Sequence, residues 1–336
     1  INDFYTLTHC PNFGVHYNNP NLQVFRIAHP YYHHDLKPMI NKVSDNWSDN
    51  YYLYTNSLGF KDFYPKKIKY KSQNRRILFI GDSFTEGIGC PVENTFYGLI
   101  SLALRTDSIE ILNAGVSSYS PHLYYLKTKY LTEEKLLDFQ ELYVFIDISD
   151  IIDEMIYENY KPTPIPTNKI KNFLLNYEKK HSAIMFIFNN IKKHFISNKT
   201  IIINTKNVVI DDADYKHKEK WTSMEYYYKK WARFGVEYAK HYMQNLVELC
   251  NSRGIKMKIV IYPHPFQISQ HIIIDRQVET WTKFAADNKI EIINLYPDFM
   301  KEDPDKVINK YFIPGDIHWN YLGHQIVAKK ILDNIN

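Results

Sequence analysis

Gly81-Asp82-Ser83-Phe84-Thr85-Glu86-Gly87 follows directly on the apolar run Ile77-Leu78-Phe79-Ile80. A short β-rich run that breaks at Gly-Asp-Ser and then turns helical presents a serine at the C-terminal end of a parallel strand. In open α/β sheets that edge is where ligands bind. Glycines on both sides of Ser83 permit the tight turn and the close backbone approach that such a position needs. Outward from this stretch, the chain beyond Arg76 alternates strand and helix. Strands read at Ile77–Ile80, Ile109–Asn113, Leu142–Ile148, Lys256–Tyr262 and Glu291–Leu295, with helices predicted near 94–105, 121–137, 221–251, 275–288 and 320–335. This alternation predicts an α/β fold, a parallel sheet with helices on both faces.

Two helices read in detail. From Met224 the positions Tyr227, Tyr228, Trp231, Phe234, Tyr238, Tyr242, Leu246 and Leu249 recur at helical spacing, and Gly254 supplies the stop. In the last helix Leu322, Ile326, Val327, Ile331 and Ile335 form a similar stripe, which is expected to dock on the sheet and hold the preceding loop. Residues 1–70, rich in Tyr, Asn, His and Pro, read as an extension that wraps the domain formed by 71–336. An insertion at about 161–220 interrupts the alternation. It opens with Pro162, Pro164 and Pro166, runs through the amphipathic 170–196 region and ends polar. The insertion is expected to pack over the core, with a lid or membrane-contacting element as the alternative.

With 336 residues the chain can bury a large core. A net charge of +4 is small for this length and weighs against nucleic acid as a partner, which needs a concentrated basic stripe. The densest basic stretch, Lys66 to Arg76, reads as a solvated linker or strand approach. Cys10, Cys90 and Cys250 lie far apart without Cys-x-x-Cys spacing, so neither a zinc site nor a disulfide framework is expected, although one pair could bridge. No apolar run is long enough to span a bilayer. The chain begins at Ile1 rather than Met. A lost signal peptide or membrane anchor fits this, as does trimming, and the expected location is periplasmic or extracytoplasmic, with the cytoplasm left open.

A serine hydroxyl needs a base within hydrogen-bond reach to act as a nucleophile at neutral pH. Fourteen histidines are available, so placement must choose among them. Gly315-Asp316-Ile317-His318-Trp319-Asn320 stands after the fifth strand and before the final helix, which returns its loop to the sheet edge of Ser83. Asp316 can there orient the His318 imidazole and stabilise the imidazolium. Donors for a developing oxyanion are expected from the N–H of Ser83, the N–H of Gly115 after the second strand, and the Ser149 hydroxyl after the third. Ser149 reads equally as a helix N-cap. Tyr262 and His264 follow the fourth strand and read as a substrate platform or as a structural proline turn. His29, His33, His34 and Asp35 read as a loop rather than a metal site, and Asn56–Phe60 as a brace of the pocket or a turn.

Gly81-Asp82-Ser83, Asn113-Ala114-Gly115, the strand-end Asp147–Asp150 and Asp316-Ile317-His318 resemble, in that order, the successive blocks of the SGNH (GDSL-type) hydrolase superfamily. The resemblance covers roughly residues 56–150 and 256–335. It implies a flavodoxin-like three-layer α/β/α sandwich around a five-stranded parallel sheet. It also implies Ser83 as nucleophile, His318 as base, Asp316 as its orienting acid and Gly115 in the oxyanion hole, with no metal or organic cofactor. Two departures stand out. The usual third block, Gly-x-Asn-Asp, has Asp147 and Ser149 at its Gly and Asn positions, so the asparagine donor is missing. The last block spaces Asp two residues before His and adds Trp, similar to the Asp-x-His-Trp motif of alginate-type O-acetyltransferases, where that block precedes the serine. The function expected is a serine esterase acting on O-acyl, chiefly O-acetyl, groups of an envelope carbohydrate. The alternatives are a carbohydrate O-acetyltransferase with the same triad, a lipid esterase, and a non-catalytic glycan-binding or assembly protein. The expected partner is an acylated carbohydrate or small molecule, with membrane proximity through a missing N-terminal segment. Oligomeric state is not legible.

Overall fold

The computed structural model describes residues 25–44, 50–158, 160–162, 203–205 and 208–335. Its strands are β1 (Arg26–His29), β2 (His33–Leu36), β3 (Asn41–Ser44), β4 (Tyr51–Tyr54), β5 (Arg75–Ile80), β6 (Ile109–Asn113), β7 (Glu141–Ile146), β8 (Ile203–Thr205), β9 (Val208–Ile210), β10 (Lys256–Ile261) and β11 (Glu291–Asn294). Five of these form the central sheet in the order β11-β10-β7-β5-β6, and every pair is parallel. From β5 the order runs to β6 on one side and to β7 on the other. The strand that carries the Gly-Asp-Ser turn is therefore the switch point, where the loops part to leave a crevice.

The reason these runs become interior strands is legible in their composition. Ile77–Ile80 and Leu142–Ile146 are buried along both faces, as continuous apolar runs in a parallel sheet must be. Nine helices used below are α1 (Ser83–Glu86), α2 (Phe96–Ala103), α3 (Pro121–Lys129), α4 (Asp150–Tyr157), α5 (Arg233–Ser252), α6 (Pro265–Ser269), α7 (Arg276–Asn288), α8 (Pro304–Tyr311) and α9 (Tyr321–Leu332). α3, α4 and α5 pack on one another, and α2 packs on α9, giving helix layers on both sides of the sheet. The architecture is a three-layer α/β/α sandwich.

Several expectations are corrected. The third, fourth and fifth strands end at Ile146, Ile261 and Asn294, because the residues after them leave the ladder to build loops at the carboxyl edge. The helix expected over 121–137 is α-helical only to Lys129 and then widens to a π-turn. The 221–251 helix likewise begins in short turns and a π-turn before α5. Met224 and Leu322, counted in apolar stripes, are exposed, whereas Trp231, Leu246, Val327 and Ile331 carry the burial.

Of the N-terminal extension, the described part forms two antiparallel strand pairs, β1–β2 and β3–β4. Tyr32, Leu36, Phe60 and Ile68 join the main core. Asp35 accepts from the buried Lys127 ammonium at 2.8 Å, and that ammonium also sits over the rings of Tyr32, Phe60 and Tyr119. The basic stretch is a strand approach: Lys66 pairs with Asp62, Arg75 with Glu141, and the buried Arg76 with Glu110 and Asp138. Residues 163–202, most of the insertion, lie outside the described residues, as does Cys10. Cys90 and Cys250 are buried free thiols. No helix among the described residues is long and apolar enough to cross a membrane.

Candidate active site

The turn after β5 is held by its own polar groups. Asp82 caps α1 by accepting from the Phe84 N–H at 3.0 Å. Gly87 ends the helix at φ +73°, where its N–H returns to the Ser83 carbonyl. Gly81 is obligatory for space: a Cβ there would stand 2.1 Å from Thr85 Oγ1 and 2.9 Å from the Phe145 carbonyl. Ser83 is left 9% exposed, and Asp82, Phe84 and Thr85 around it are almost fully buried.

The loop between α8 and α9 brings His318 to that serine. His318 Nε2 lies 2.8 Å from Ser83 Oγ, and Asp316 Oδ1 accepts from His318 Nδ1 at 2.5 Å and from the His318 N–H at 2.9 Å. Burial pushes the Asp316 carboxyl up, but the hydrogen bonds from the His318 ring and backbone oppose it, and the carboxyl is held below its ordinary value. Phe84 lies under the imidazole with ring centroids 4.8 Å apart. Trp319 is fully buried and packs edge-on against Phe84 and Tyr262, so it supports the loop from the core and offers no face to a ligand.

The 114–117 loop runs alongside α1. Ala114 N–H donates to the Phe79 carbonyl, Val116 N–H to that of Gly81, and Asn113 Nδ2 to that of Thr85. A Cβ on Gly115 would stand 2.6 Å from the Thr85 side chain, so the contact requires glycine. Here the expected donor set is altered. The Gly115 N–H is given to Asn113 Oδ1 at 3.0 Å rather than left pointing into the site. Ser149 occupies the N-cap position of α4 without capping it, and both its N–H and its hydroxyl engage Asp147. Of the three expected oxyanion donors, the Ser83 N–H is the one not drawn into such a contact.

The expected platform residues are also relocated. Tyr262 is fully buried, and its hydroxyl donates to Asp82 Oδ1 at 3.3 Å. His264 is 2% exposed and donates from Nε2 to Asp147 Oδ2 at 2.7 Å. Both lie beneath the turn and face Phe84. His29, His33, His34 and Asp35 all have partners within the protein. Asn56 folds a turn, accepting from Leu58 N–H and Phe60 N–H.

Among the described residues one trio, Asp82, Asp147 and Asp150, offers oxygens within 4.8 Å of one another, all buried. Each already receives protein donors. Asp147 accepts from His264 and Ser149, and Asp150 accepts from the Tyr124 hydroxyl and the Asp147 N–H. Burial would raise Asp147, yet His264 holds it well below its ordinary value. Burial, then the charge of Asp147, pushes Asp82 well above it. Asp150 Oδ1 is buried without a partner among the described residues, and the trio's other contacts are hydrogen bonds within the protein.

Two supporting residues escaped sequence reading. Glu86 Oε2 accepts from the Ser117 N–H at 2.7 Å, and both its oxygens receive the Arg26 guanidinium at 2.9–3.0 Å. Glu86 lies inside the quoted stretch, so its place was visible, but nothing local links it to Arg26 sixty residues earlier.

No protein-family model matches the chain, and no curated protein matches it. Solved structures to which it is similar include an acetyl xylan esterase, AlAXEase, at 15% identity, covering 78% of this chain and 100% of that one with a TM-score of 0.44. Another is the psychrotrophic esterase EstA from Pseudoalteromonas sp., at 11% identity, 78% and 97% coverage and a TM-score of 0.43. A third is a catalytic mutant of an acetylxylan esterase from Geobacillus stearothermophilus, at 11% identity, 80% and 97% coverage and 0.44. Likeness at this level says nothing of what this chain acts on. What stands on the chain's own geometry is the hydrogen-bonded line that joins Ser83, His318 and Asp316 at the carboxyl edge of the sheet.

Proposed function

We propose that this chain is a serine esterase of the SGNH type, with Ser83 as nucleophile, His318 as general base and then acid, and Asp316 as the orienting acid. The observation that carries the reading is the Ser83–His318–Asp316 line, at 2.8 and 2.5 Å, at the carboxyl edge of the sheet. Ser83 Oγ attacks an ester carbonyl while its proton passes to His318 Nε2, and the Asp316 carboxylate stabilises the imidazolium. The Ser83 N–H donates to the oxyanion. The leaving alcohol takes the proton from His318, which leaves an acyl-serine. A water then gives its proton to the same imidazole as it attacks, and collapse of that intermediate returns the proton to Ser83.

The substrate class, O-acetyl groups on a carbohydrate, follows the sequence resemblance. The transferase alternative shares the same acyl-enzyme and differs in the acceptor: a sugar hydroxyl instead of water. The test is hydrolysis of p-nitrophenyl acetate by wild type, Ser83→Ala and His318→Ala, with intact-mass detection of an acetyl adduct. Either substitution is expected to lower kcat by roughly 10³-fold or more, and the adduct should vanish in Ser83→Ala. Turnover that survives Ser83→Ala would overturn the reading. Repeating the reaction with an added glycan acceptor, and weighing acetylated glycan against free acetate, separates transferase from esterase.

A further inference from the structure

Taking Ser83 as nucleophile leaves its neighbour Asp82 without an assigned task, and the hydrogen bonds around it supply one. A carboxylate only accepts, so the bond to Asp316 places the ring proton of neutral His318 on Nδ1 and leaves a lone pair at Nε2. The single proton of the Ser83 hydroxyl is therefore the one in the 2.8 Å bond to Nε2. Yet Ser83 Oγ also lies 3.3 Å from Asp82 Oδ2. A second bond there needs a proton that Ser83 no longer has. On the other side of Asp82, Oδ1 accepts from both the Phe84 N–H at 3.0 Å and the Tyr262 hydroxyl at 3.3 Å. Oδ2 is the oxygen left to carry a proton.

We infer that Asp82 is a neutral carboxylic acid in the resting enzyme and that its Oδ2–H donates to Ser83 Oγ, aiming the serine's own proton at His318. The inference rests on the reading of Ser83 and His318 given above. Were Asp82 ionised, its carboxylate would compete with His318 for the Ser83 proton and turn the hydroxyl away from its base. At 3.3 Å the bond is long, and an sp³ hydroxyl has a second lone pair for attack. Asp82 is in this sense a positioning residue for the hydroxyl proton.

The surroundings favour the neutral form. The groups that face Asp82 are the carboxylates of Asp147, Asp150 and Asp153, the phenols of Tyr124 and Tyr262, and the ammonium of Lys218. His264 acts on it through Asp147, and His318 through Ser83. Three buried carboxylates this close do not all ionise. Asp147 holds the imidazole of His264 and so keeps its charge, whereas neither Asp82 nor Asp150 has a cationic side chain in hydrogen-bond contact among the described residues, and of these two only Asp82 touches Ser83. Burial and the Asp147 charge both push the Asp82 carboxyl upward, in agreement with the hydrogen-bond count.

Asp82→Asn is the isosteric copy of the neutral acid: its carbonyl can accept where Oδ1 does, and its amide can donate to Ser83. It is expected to keep kcat for p-nitrophenyl acetate within about threefold of wild type. Asp82→Ala is expected to lose about tenfold or more, the cost of one orienting hydrogen bond. Infrared difference spectra of wild type minus Asp82→Asn at pH 7 should show the carbonyl stretch of a protonated carboxyl, and should not show the ionised carboxylate pair. A carboxylate signature in that difference, or an Asp82→Asn variant as impaired as Asp82→Ala, overturns the inference. If Asp82→Ala does not fold, wild type and Asp82→Asn alone carry both readouts. The spectrum reads the proton whether or not the protein hydrolyses esters, so failure of the esterase reading, seen as activity that survives Ser83→Ala, is distinguishable from failure of this one.

Discussion

Asp316 and His318 are only two residues apart, and the short spacing gives the pair its stiffness. One oxygen, Asp316 Oδ1, accepts from both the backbone N–H and the ring Nδ1 of His318, so backbone and imidazole are fixed by one acceptor. Two backbone bonds close the loop around them, from Ile313 N–H to the His318 carbonyl and from Asp316 N–H to the Ile313 carbonyl. Asp316→Asn preserves the size of the side chain but can present its amide to Nδ1, which would move the ring proton to Nε2 and block it as a base. The variant is expected to fold normally and to lose roughly 10³–10⁴-fold in kcat, with KM little changed. Steady-state kinetics beside a thermal melt check this, and a loss of less than tenfold would mean that Asp316 does not orient the base. The following Trp319 resembled a motif residue in sequence. Its full burial against Phe84 and Tyr262 makes it the floor of the loop.

Between elements, the N-terminal strand reaches the Ser83 turn through one ion pair. Arg26 on β1 holds Glu86, and Glu86 holds the Ser117 N–H, so the extension, α1 and the 114–117 loop are linked in series. Both side chains are almost fully buried. Removing one partner of such a pair leaves a desolvated charge, which costs about 3–5 kcal/mol. Arg26→Met is therefore expected to destabilise by that amount in urea unfolding, and Arg26→Met with Glu86→Gln to recover most of it. If the single and double variants unfold alike, the pair does not couple β1 to the turn. This linkage also marks the limit of what the sequence shows. The apolar runs at Ile77–Ile80 and Leu142–Ile146 announced their strands because burial on both faces leaves a compositional trace. The meeting of Ser83 with His318 and Asp316 was legible because Ser83 follows β5 directly and the loop of Asp316 and His318 runs into α9, which returns it to the same sheet edge. Arg26 with Glu86 leaves no local trace, because the pairing is made by tertiary packing across sixty residues. Tyr262 and His264 were assigned to the right edge but the wrong depth, since strand position alone does not tell which loops lie above a residue.

Over the whole molecule, buried ionisable groups make stability depend on pH in two opposing ways. Burial pushes Asp153 up to about 7 and Glu154 up to about 8. In the folded chain these carboxyls keep protons that the unfolded chain releases near its ordinary carboxylate range. The native state thus binds more protons from about pH 4.5 upward, and stability falls as pH rises through the folded values. Burial also lowers His29, His33 and His324 to about 3 and His122 to about 4. There the unfolded chain binds protons that the folded chain refuses, so stability falls as pH drops below about 6.5. The two effects oppose each other below that point, and above it these histidines contribute no slope, so the melting temperature is expected to decline between about pH 6.5 and 8. Glu154 isolates one contribution. Its Oε1 accepts from the His122 N–H at 2.5 Å, and the side chain is fully buried. Glu154→Gln keeps the shape and cannot ionise. Whatever constant offset the amide introduces, the stability difference between the variant and wild type should change in the variant's favour as pH rises. The gain should be up to about 1.4 kcal/mol per pH unit between about 4.5 and 8, then level off. Urea unfolding of both proteins at half-unit pH steps reads that slope directly, and parallel curves would show that Glu154 carries no proton into the folded state.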